Sequence, residues 1–287
     1  MFQSSERPPY IRVFLTFARN SLVRDMTFRL NFIIESVAAL SWMMANLGFY
    51  LLIFTFTDSI GENTGWGQYE FFIFLATTMF VNSLVQAFFM PNAQEFSELI
   101  RTGRLDFALV KPIDTQFLIS LQKVNWSSLI NFLAGAILLV YSLSQLASRE
   151  ENPFQLTLTI VLLYPIFIAC GVAILYSLMV SLAATSIWLG RNQSLYDFWF
   201  YITNFSRYPM EIYSGTYGLP LQWFFTFIVP VLIVVNVPAR IMTEQLRPNT
   251  SLEWMLAAFG VFATIFCLIA SRFIFRWSLL SYRSASS

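Results

Sequence analysis

Long apolar stretches alternate with short polar segments along the whole chain. Five stretches are long enough to cross a hydrocarbon core of about 30 Å as helices. They are residues 31–56, 71–89, 126–146, 154–189 and 251–275. Pro165 falls inside the fourth stretch, where we expect a kink rather than an end, because neighbouring groups in a membrane protein can satisfy the carbonyl that proline frees.

The region between the fourth and last stretches has two interpretations. Residues 194–213 are aromatic but carry charges, whereas residues 219–237 are cleaner but contain Pro220 and Pro230. The preferred arrangement makes residues 194–206 the body of span five and residues 207–240 a re-entrant segment on the outer side, shielded by protein. The alternative places span five at residues 219–237 and leaves residues 194–213 along the inner surface.

The positions of Lys and Arg predict the orientation of the chain. Cytoplasmic segments of membrane proteins carry an excess of these residues. Five arginines precede the first span: Arg7, Arg12, Arg19, Arg24 and Arg29. The loop after span one has no Lys or Arg, and the loop after span three has only Arg149. The loop after span two has four basic residues: Arg101, Arg104, Lys111 and Lys123. The C-terminal end is basic as well, so both termini are expected in the cytoplasm and the number of spans should be six.

The N-terminal segment, residues 1–30, has the pattern of an amphipathic elbow helix on a membrane surface. Apolar residues recur there at helical spacing while Arg12 and Arg19 fall on another face. The apolar positions are Ile11, Leu15, Ala18 and Leu22. Residues 31–287 then form one six-helix transmembrane domain, and the predicted fold class is an all-α integral membrane protein.

Composition agrees with a membrane protein and narrows its chemistry. Hydrophobic residues make up 57% of the chain and charged residues 11%, too few to cover a water-soluble fold of this length. The net charge of +1 gives no field that would recruit nucleic acid. The chain has no histidine, which removes the commonest metal ligand and general base, and we assign Cys170 and Cys267 no redox role. We therefore predict no catalytic residue and no metal site.

A short charged helix is predicted between spans two and three, within residues 92–103. Asn92 and Glu95 have the spacing of an N-terminal capping box, and Gly103 stands where a helix can end in a left-handed residue. The helix would present Phe96, Leu99 and Ile100 as an apolar patch. A helix this short is marginal alone, so it needs either lipid head groups or a protein partner, and its acidic residues favour the protein over an anionic leaflet.

The motif "IRTGRLDFALVKPID" resembles the signature of permease subunits of the ABC-2 type exporter family. The residues that carry the resemblance are Gly103, Leu105, Asp106, Leu109 and Pro112. Residues 205–213, 228–233 and 236–239 resemble a second block of the same bacterial branch.

The resemblance implies a coupling helix that docks on a separate ATP-binding subunit. It implies two such ATPase chains, which would bind ATP and Mg²⁺, and a second permease chain, identical or related, in a bacterial cytoplasmic (inner) membrane. The residues expected to contact the ATPase are Glu95, Phe96, Glu98, Leu99, Ile100 and Arg101. The chain contains no G-x-x-x-x-G-K-[ST] phosphate loop of its own, so it is not expected to be an enzyme.

Several polar residues inside the spans are further candidates. Glu35 is expected to play a structural part near the inner interface, within reach of Arg29 or head-group water. Asp197, Arg207 and Glu211 are a candidate ion-paired gate cluster. Five amides could line a path or join helices through hydrogen bonds, and joining is the expected role for most of them: Asn46, Asn82, Gln86, Asn131 and Asn204.

Three other functional classes compete with an ATP-driven exporter. A secondary transporter should show repeated halves, a channel should show a ring-forming motif, and an enzyme should show clustered acids and nucleophiles. None of these patterns stands out. Co-purification of an ATPase would separate a permease from all three. An apolar, aromatic path would suit lipid-like or amphiphilic cargo.

Overall fold

The described part of the chain is built from helices. A computed structural model describes residues 9–61, 64–150, 153–189, 193–213, 215–243 and 251–282, without the side chains of 193–198 and 251–253. Its helices are α1 (Tyr10–Thr27), α2 (Arg29–Phe54), α3 (Gln68–Phe88), α4 (Met90–Arg101), α5 (Leu105–Leu109), α6 (Thr115–Leu121), α7 (Leu129–Ala147), α8 (Leu158–Ala184), α9 (Ser186–Leu189), α10 (Gln193–Asn204), α11 (Leu219–Trp223), α12 (Leu232–Met242) and α13 (Ser251–Leu280).

The five long apolar stretches form helices whose ends lie within a few residues of the predicted ones. Within the described residues, five helices are long and apolar enough to cross a membrane, and a bent pair raises the number to six if it counts as one span. Helix α8 continues through Pro165. The chain is thus an all-α, multi-pass membrane protein.

The bent pair consists of α11, a following π-helical turn (Phe224–Ile228) and α12, which meet at an angle of 91°. Glu211, which precedes α11, forms an ion pair with Arg240 near the end of α12. The other carboxylate oxygen of Glu211 accepts a hydrogen bond from Trp66 Nε1 at 2.9 Å, and Trp66 lies in the loop between α2 and α3. The segment before α11 and the end of α12 therefore lie beside that loop, an arrangement that a re-entrant segment would give. Helix α10 has 12 residues, too few to cross a core of about 30 Å alone, so the assignment of span five stays a prediction.

Helix α3 is the centre of the bundle. Most of its side chains are buried, because α7, α8 and α12 pack around it. Gly171 of α8 lets the backbone of α12 approach closely, since a Cβ at this position would stand 2.6 Å from the carbonyl oxygen of Val234. Helix α2 differs, because it buries only Ser36 within this chain.

Helix α1 lies beside the beginning of α7 and leaves apolar side chains exposed. Ser21 Oγ accepts a hydrogen bond from the Val124 N–H at 3.1 Å, and Trp126 Nε1 donates to the Ala18 carbonyl at 3.1 Å. Ile11 and Leu15 stay exposed. The exposed apolar side chains agree with an elbow helix, and its placement on a membrane surface stays a prediction.

Candidate functional site

The segment between α3 and α7 begins as a direct continuation of α3. Only Phe89 separates α3 from α4, and the two together form an apolar helical rod of 34 residues, Gln68–Arg101. Backbone hydrogen bonds run across the junction, from Phe89 N to Val85 O and from Ala93 N to Phe89 O, both at 3.0 Å. Span two therefore continues past Phe89, where the predicted span ends, because proline is tolerated in the first turn of a helix.

Pro91 nevertheless frees one carbonyl, and a neighbouring span uses it. Proline has no N–H, so the carbonyl oxygen of Ala87, four residues earlier, has no partner in its own helix. The backbone N–H of Asn125, shortly before α7, donates to this oxygen at 2.8 Å. The proline thus joins the inner ends of spans two and three through main-chain atoms.

Asn92 does not form the predicted capping box, because it lies inside α4 rather than at its beginning. Its Nδ2 donates to the carbonyl oxygens of Phe88 at 2.8 Å and Lys123 at 2.7 Å, and its Oδ1 accepts from the Lys123 N–H at 2.8 Å. Glu95, the other member of the expected box, pairs with the Lys123 ammonium at 2.6 Å. Both residues therefore hold α4 to the segment that leads into α7.

The predicted apolar patch on α4 faces the chain's own interior. Phe96 is 1% exposed and lies in a small core with Leu105, Leu118 and Phe275. The ring centroids of Phe96 and Phe275 are 5.9 Å apart. Leu99 and Ile100 pack partly against this core. This placement corrects the expectation that Phe96 contacts a partner, since the side chain is already covered. The short helix α4 therefore packs against its own chain, which supplies the partner that a helix of this length needs.

A different surface of the segment is exposed. Glu98 and Arg101 form an exposed ion pair at 2.6 Å. On and just after α5, Phe107 is 74% exposed and Val110 is 85% exposed, and Arg104 and Lys111 beside them are exposed as well. The sequence did not single out Phe107 and Val110, because Leu105, Phe107, Ala108 and Val110 are all apolar and only the packing shows which of them are buried.

The motif residues form the turns around α5. Gly103 has a φ of 69°, a left-handed conformation that glycine adopts without strain, so the predicted end of the helix is found there. Leu105 is fully buried, the Asp106 N–H donates to the Gly103 carbonyl, and Leu109 and Pro112 are exposed.

An ion pair ties this segment to the last span. The guanidinium of Arg272 in α13 pairs with both carboxylate oxygens of Asp114 and also donates to Gln116 Oε1 at 2.9 Å. Asp114 in addition caps α6 by accepting from the Phe117 N–H at 3.0 Å. The Arg272 hydrogen bond lowers the pKa of the Asp114 carboxyl, with help from the cap. Asp114 thus connects α6 and α13.

Two members of the candidate gate cluster have partners outside the cluster. Glu211 pairs with Arg240 and Trp66. Arg207 lies over the ring of Phe200, with its guanidinium carbon 5.5 Å from the ring centroid. The side chain of Asp197 lies outside the described residues. Arg240 could not be identified from the sequence, because its partner Glu211 is 29 positions away.

Glu35 has hydrogen-bond partners other than those expected. It accepts from Asn31 Nδ2 at 2.8 Å and from Ser127 Oγ at 2.7 Å. The carboxylate therefore links α2 to the beginning of α7, a structural role as predicted but without Arg29. Elsewhere in the described residues, no group of three or more His, Cys, Asp or Glu side chains is arranged to hold a metal ion.

Comparison with known proteins agrees with this architecture. A family model described as "ABC-2 family transporter protein" matches residues 40–286. No curated protein and no solved structure matches the chain. The matched region covers most of the chain, including α3 to α13 and the segment between spans two and three. The chain therefore belongs to the ABC-2 transporter family and is a membrane transport component rather than an enzyme.

Proposed function

We propose that the chain is the permease subunit of an ATP-binding cassette exporter in a bacterial cytoplasmic membrane. Two ATPase subunits would bind ATP and Mg²⁺, and a second permease chain would complete the transport path. The family membership and the absence of a phosphate loop from this sequence support a separate motor.

The length and attachment of the α3–α4 rod carry this proposal. Its 34 residues extend over about 51 Å at 1.5 Å per residue, whereas the hydrocarbon core is about 30 Å thick. With the first residue of α3 at the outer boundary of the core, the rod would extend roughly 20 Å past the core on the side that the basic residues assign to the cytoplasm. A partner that pushes on this end would move span two without an intervening flexible joint.

The surface made by Arg104, Phe107, Val110 and Lys111 is the proposed docking surface for the ATPase. Exposed apolar side chains mark contacts with proteins or membranes, and the exposed acidic Glu98 on the same segment favours a protein over an anionic leaflet. The buried side of the same segment rests on the core around Phe96, so a force on the docking surface would reach the bundle through packed side chains.

Three attachments would distribute that force. The Asn92 and Glu95 contacts with Lys123 lead towards α7, the Ala87–Asn125 hydrogen bond joins spans two and three, and Arg272 joins α6 to α13. ATP-driven closure of the motor subunits would thereby tilt several spans together.

The test is recovery of the ATPase with an affinity-tagged chain purified from its native host in mild detergent. The wild type should recover an ATPase, and the double variant F107E/V110E should reduce its recovery by about tenfold or more, because two carboxylates replace the apolar contact. Q122E is the matched control, since Gln122 is exposed in the same segment.

The yield and unfolding temperature of all three proteins should be similar, because the changed side chains are exposed. Undiminished recovery with F107E/V110E would contradict the docking surface. A wild-type preparation without any ATPase would instead favour a secondary transporter or a channel.

A further inference from the structure

A polar groove lies between α2, α3, α7 and the turn after α10. Its volume is about 170 Å³. Its lining on α3 runs from Leu75 to Gln86, about 16 Å along the helix axis and so roughly half of the hydrocarbon thickness. The polar side chains that line the groove include Asn46, Asn82, Ser83, Gln86, Asn131 and Arg207. Four of the five amides expected to join helices thus gather in one groove.

Ser83 has an unusual environment for a hydroxyl in a span. Such hydroxyls commonly donate to the carbonyl four residues earlier, and Thr77 and Thr78 of the same helix do so at 2.8 and 2.9 Å. Ser83 is 2% exposed, and its Oγ has no hydrogen-bond partner among the described residues. The Oδ1 of Asn131, across the groove, is also buried and has no hydrogen-bond partner among the described residues. Unpaired buried polar atoms are costly in a membrane, so both indicate a partner that binds in the groove.

The charge of the lining restricts that partner. Arg207 is a cation, and among the described residues no Asp or Glu is part of the lining. The amide side chains donate and accept hydrogen bonds, as hydroxyl groups require. A cationic group would meet a like charge and no counter-ion, whereas a neutral or anionic group would not.

One wall of the groove is apolar. Ala39, Trp42 and Met43 of α2 face Leu75 and Met79 of α3, and Trp42 is largely exposed. An alkyl chain could lie along this wall and continue into the bilayer. The groove is smaller than the 300–1,000 Å³ of sites for drug-sized ligands, so it would take one head-group unit.

We infer that this groove binds the head group of an amphiphile that carries hydroxyl groups or an anionic group and no positive charge, with its alkyl chain along Trp42 and Met43. The inference rests on the proposed transport function and names its substrate class.

Binding of small amphiphiles to the chain in lipid nanodiscs tests the ligand class. The probes are radiolabelled octyl glucoside, octyl phosphate and octyltrimethylammonium, with free glucose as the soluble counterpart and empty nanodiscs as the background. The first two should bind saturably above background, and the last two should not. Equal binding of octyltrimethylammonium, or equal binding of free glucose, would overturn the inference.

Ser83→Ala separates a ligand-directed hydroxyl from a structural one. Because Ser83 Oγ donates to nothing among the described residues, its removal should leave the unfolding temperature unchanged or higher while weakening octyl glucoside binding by about fivefold. A lower unfolding temperature with unchanged binding would show a structural role and contradict the inference.

Further variants locate the binding. N82L/N131L should weaken octyl glucoside binding by about tenfold, whereas Asn204→Leu, outside the groove, should change it less than about twofold. Arg207→Gln should weaken octyl phosphate binding and spare octyl glucoside. Equal effects of N82L/N131L and Asn204→Leu would contradict the assignment.

The binding assay requires no ATPase, so it can fail independently of the transport proposal. Saturable binding in the groove without ATPase recovery would support the site and contradict the exporter. Recovery of the ATPase by a chain that binds none of the probes would support the exporter and contradict the groove.

Discussion

Asn92 and Asn236 hold opposite ends of the bundle with the same set of hydrogen bonds. Each Nδ2 donates to the carbonyl four residues earlier, Phe88 or Leu232, and to a carbonyl in a distant segment. Each Oδ1 accepts a backbone N–H of that distant segment, from Lys123 or Met210, at 2.8 Å. The two regions differ in the effect of the proline that precedes each asparagine, Pro91 directly and Pro230 by six positions. Pro91 leaves α3 and α4 as one rod, whereas Pro230 lies at a bend of 91°.

The backbone around each proline explains this difference. Hydrogen bonds continue across Pro91 because it stands in the first turn of α4. Before Pro230, Val229 is non-helical with φ −113° and ψ 88°, and the Val231 N–H donates to the Val229 carbonyl in a tight turn. A proline therefore breaks a span only where the residue before it leaves the helical conformation, and the asparagine then fixes whichever geometry results.

The largest expected effect is that of Asn236→Ala. Asn236 is fully buried, and its loss leaves the buried Met210 N–H without its acceptor and removes a donor from the Tyr208 carbonyl. We expect a loss of about 3 kcal/mol in unfolding free energy, measured as a lower unfolding temperature in detergent. Asn46→Ala is the control, because Asn46 makes one hydrogen bond within its own helix and should lose less than about 1 kcal/mol. Similar losses for both would contradict the role of the distant contacts.

Gly171→Ala tests how the outer bend packs on α8. The added Cβ would overlap the Val234 carbonyl oxygen, which should cost about 1–3 kcal/mol. Gly48→Ala meets nothing within 4 Å and should be neutral or stabilising by up to about 1 kcal/mol. The measurement is the difference between the two unfolding temperatures, and equal values would show that α12 can move away at no cost.

Asn92→Ala should destabilise the chain less than Asn236→Ala, by about 2 kcal/mol, because the partly exposed Lys123 segment can recover hydrogen bonds from water. A second expected effect distinguishes Asn92→Ala from Asn236→Ala. Recovery of the ATPase should fall with Asn92→Ala and stay unchanged with Asn236→Ala, because only the inner asparagine holds the segment that carries the docking surface. Equal recovery with both variants would contradict this separation.

The smallest expected effect concerns Asp114. Its pKa is lowered in the folded protein by Arg272, so the ion pair stabilises the fold above the ordinary carboxyl pKa of about 3.9 and is lost as pH falls through the lower folded value. The pair is partly exposed, which limits it to about 1 kcal/mol.

Unfolding temperatures of wild type and Asp114→Asn should therefore differ at pH 7, and the difference should shrink as the pH falls below the ordinary carboxyl pKa of about 3.9. Asp58→Asn, in an exposed position, is the control and should follow the wild type throughout. A constant difference between wild type and Asp114→Asn across this range would exclude the ion pair as its cause.

The spans were predictable because their length is dictated by the bilayer. Residues 31–56 and 251–275 were expected as spans, and α2 and α13 occupy them with ends shifted by up to five residues. Gly103 was likewise predictable, because a left-handed helix end favours glycine. These features depend on residues close together in the chain.

The pairings were not predictable, because each joins residues far apart in the sequence. Asn92 has the spacing of a cap with Glu95, yet both residues contact Lys123. Glu211 seemed to belong with Arg207 but pairs with Arg240. Phe96 has the periodicity of an exposed patch and lies in a core that closes only when α13 supplies Phe275.

The hydrogen bond between Ala87 O and Asn125 N has a consequence for how this fold can change over time. Both atoms belong to the main chain, so replacing the alanine or asparagine side chain leaves the bond's donor and acceptor in place. Restoring an N–H at position 91, by exchanging its proline for any other amino acid, would create a competitor for the same oxygen. This contact between two membrane helices thus depends on the N–H that proline lacks. A mutation of the single codon for Pro91 would be enough to weaken it.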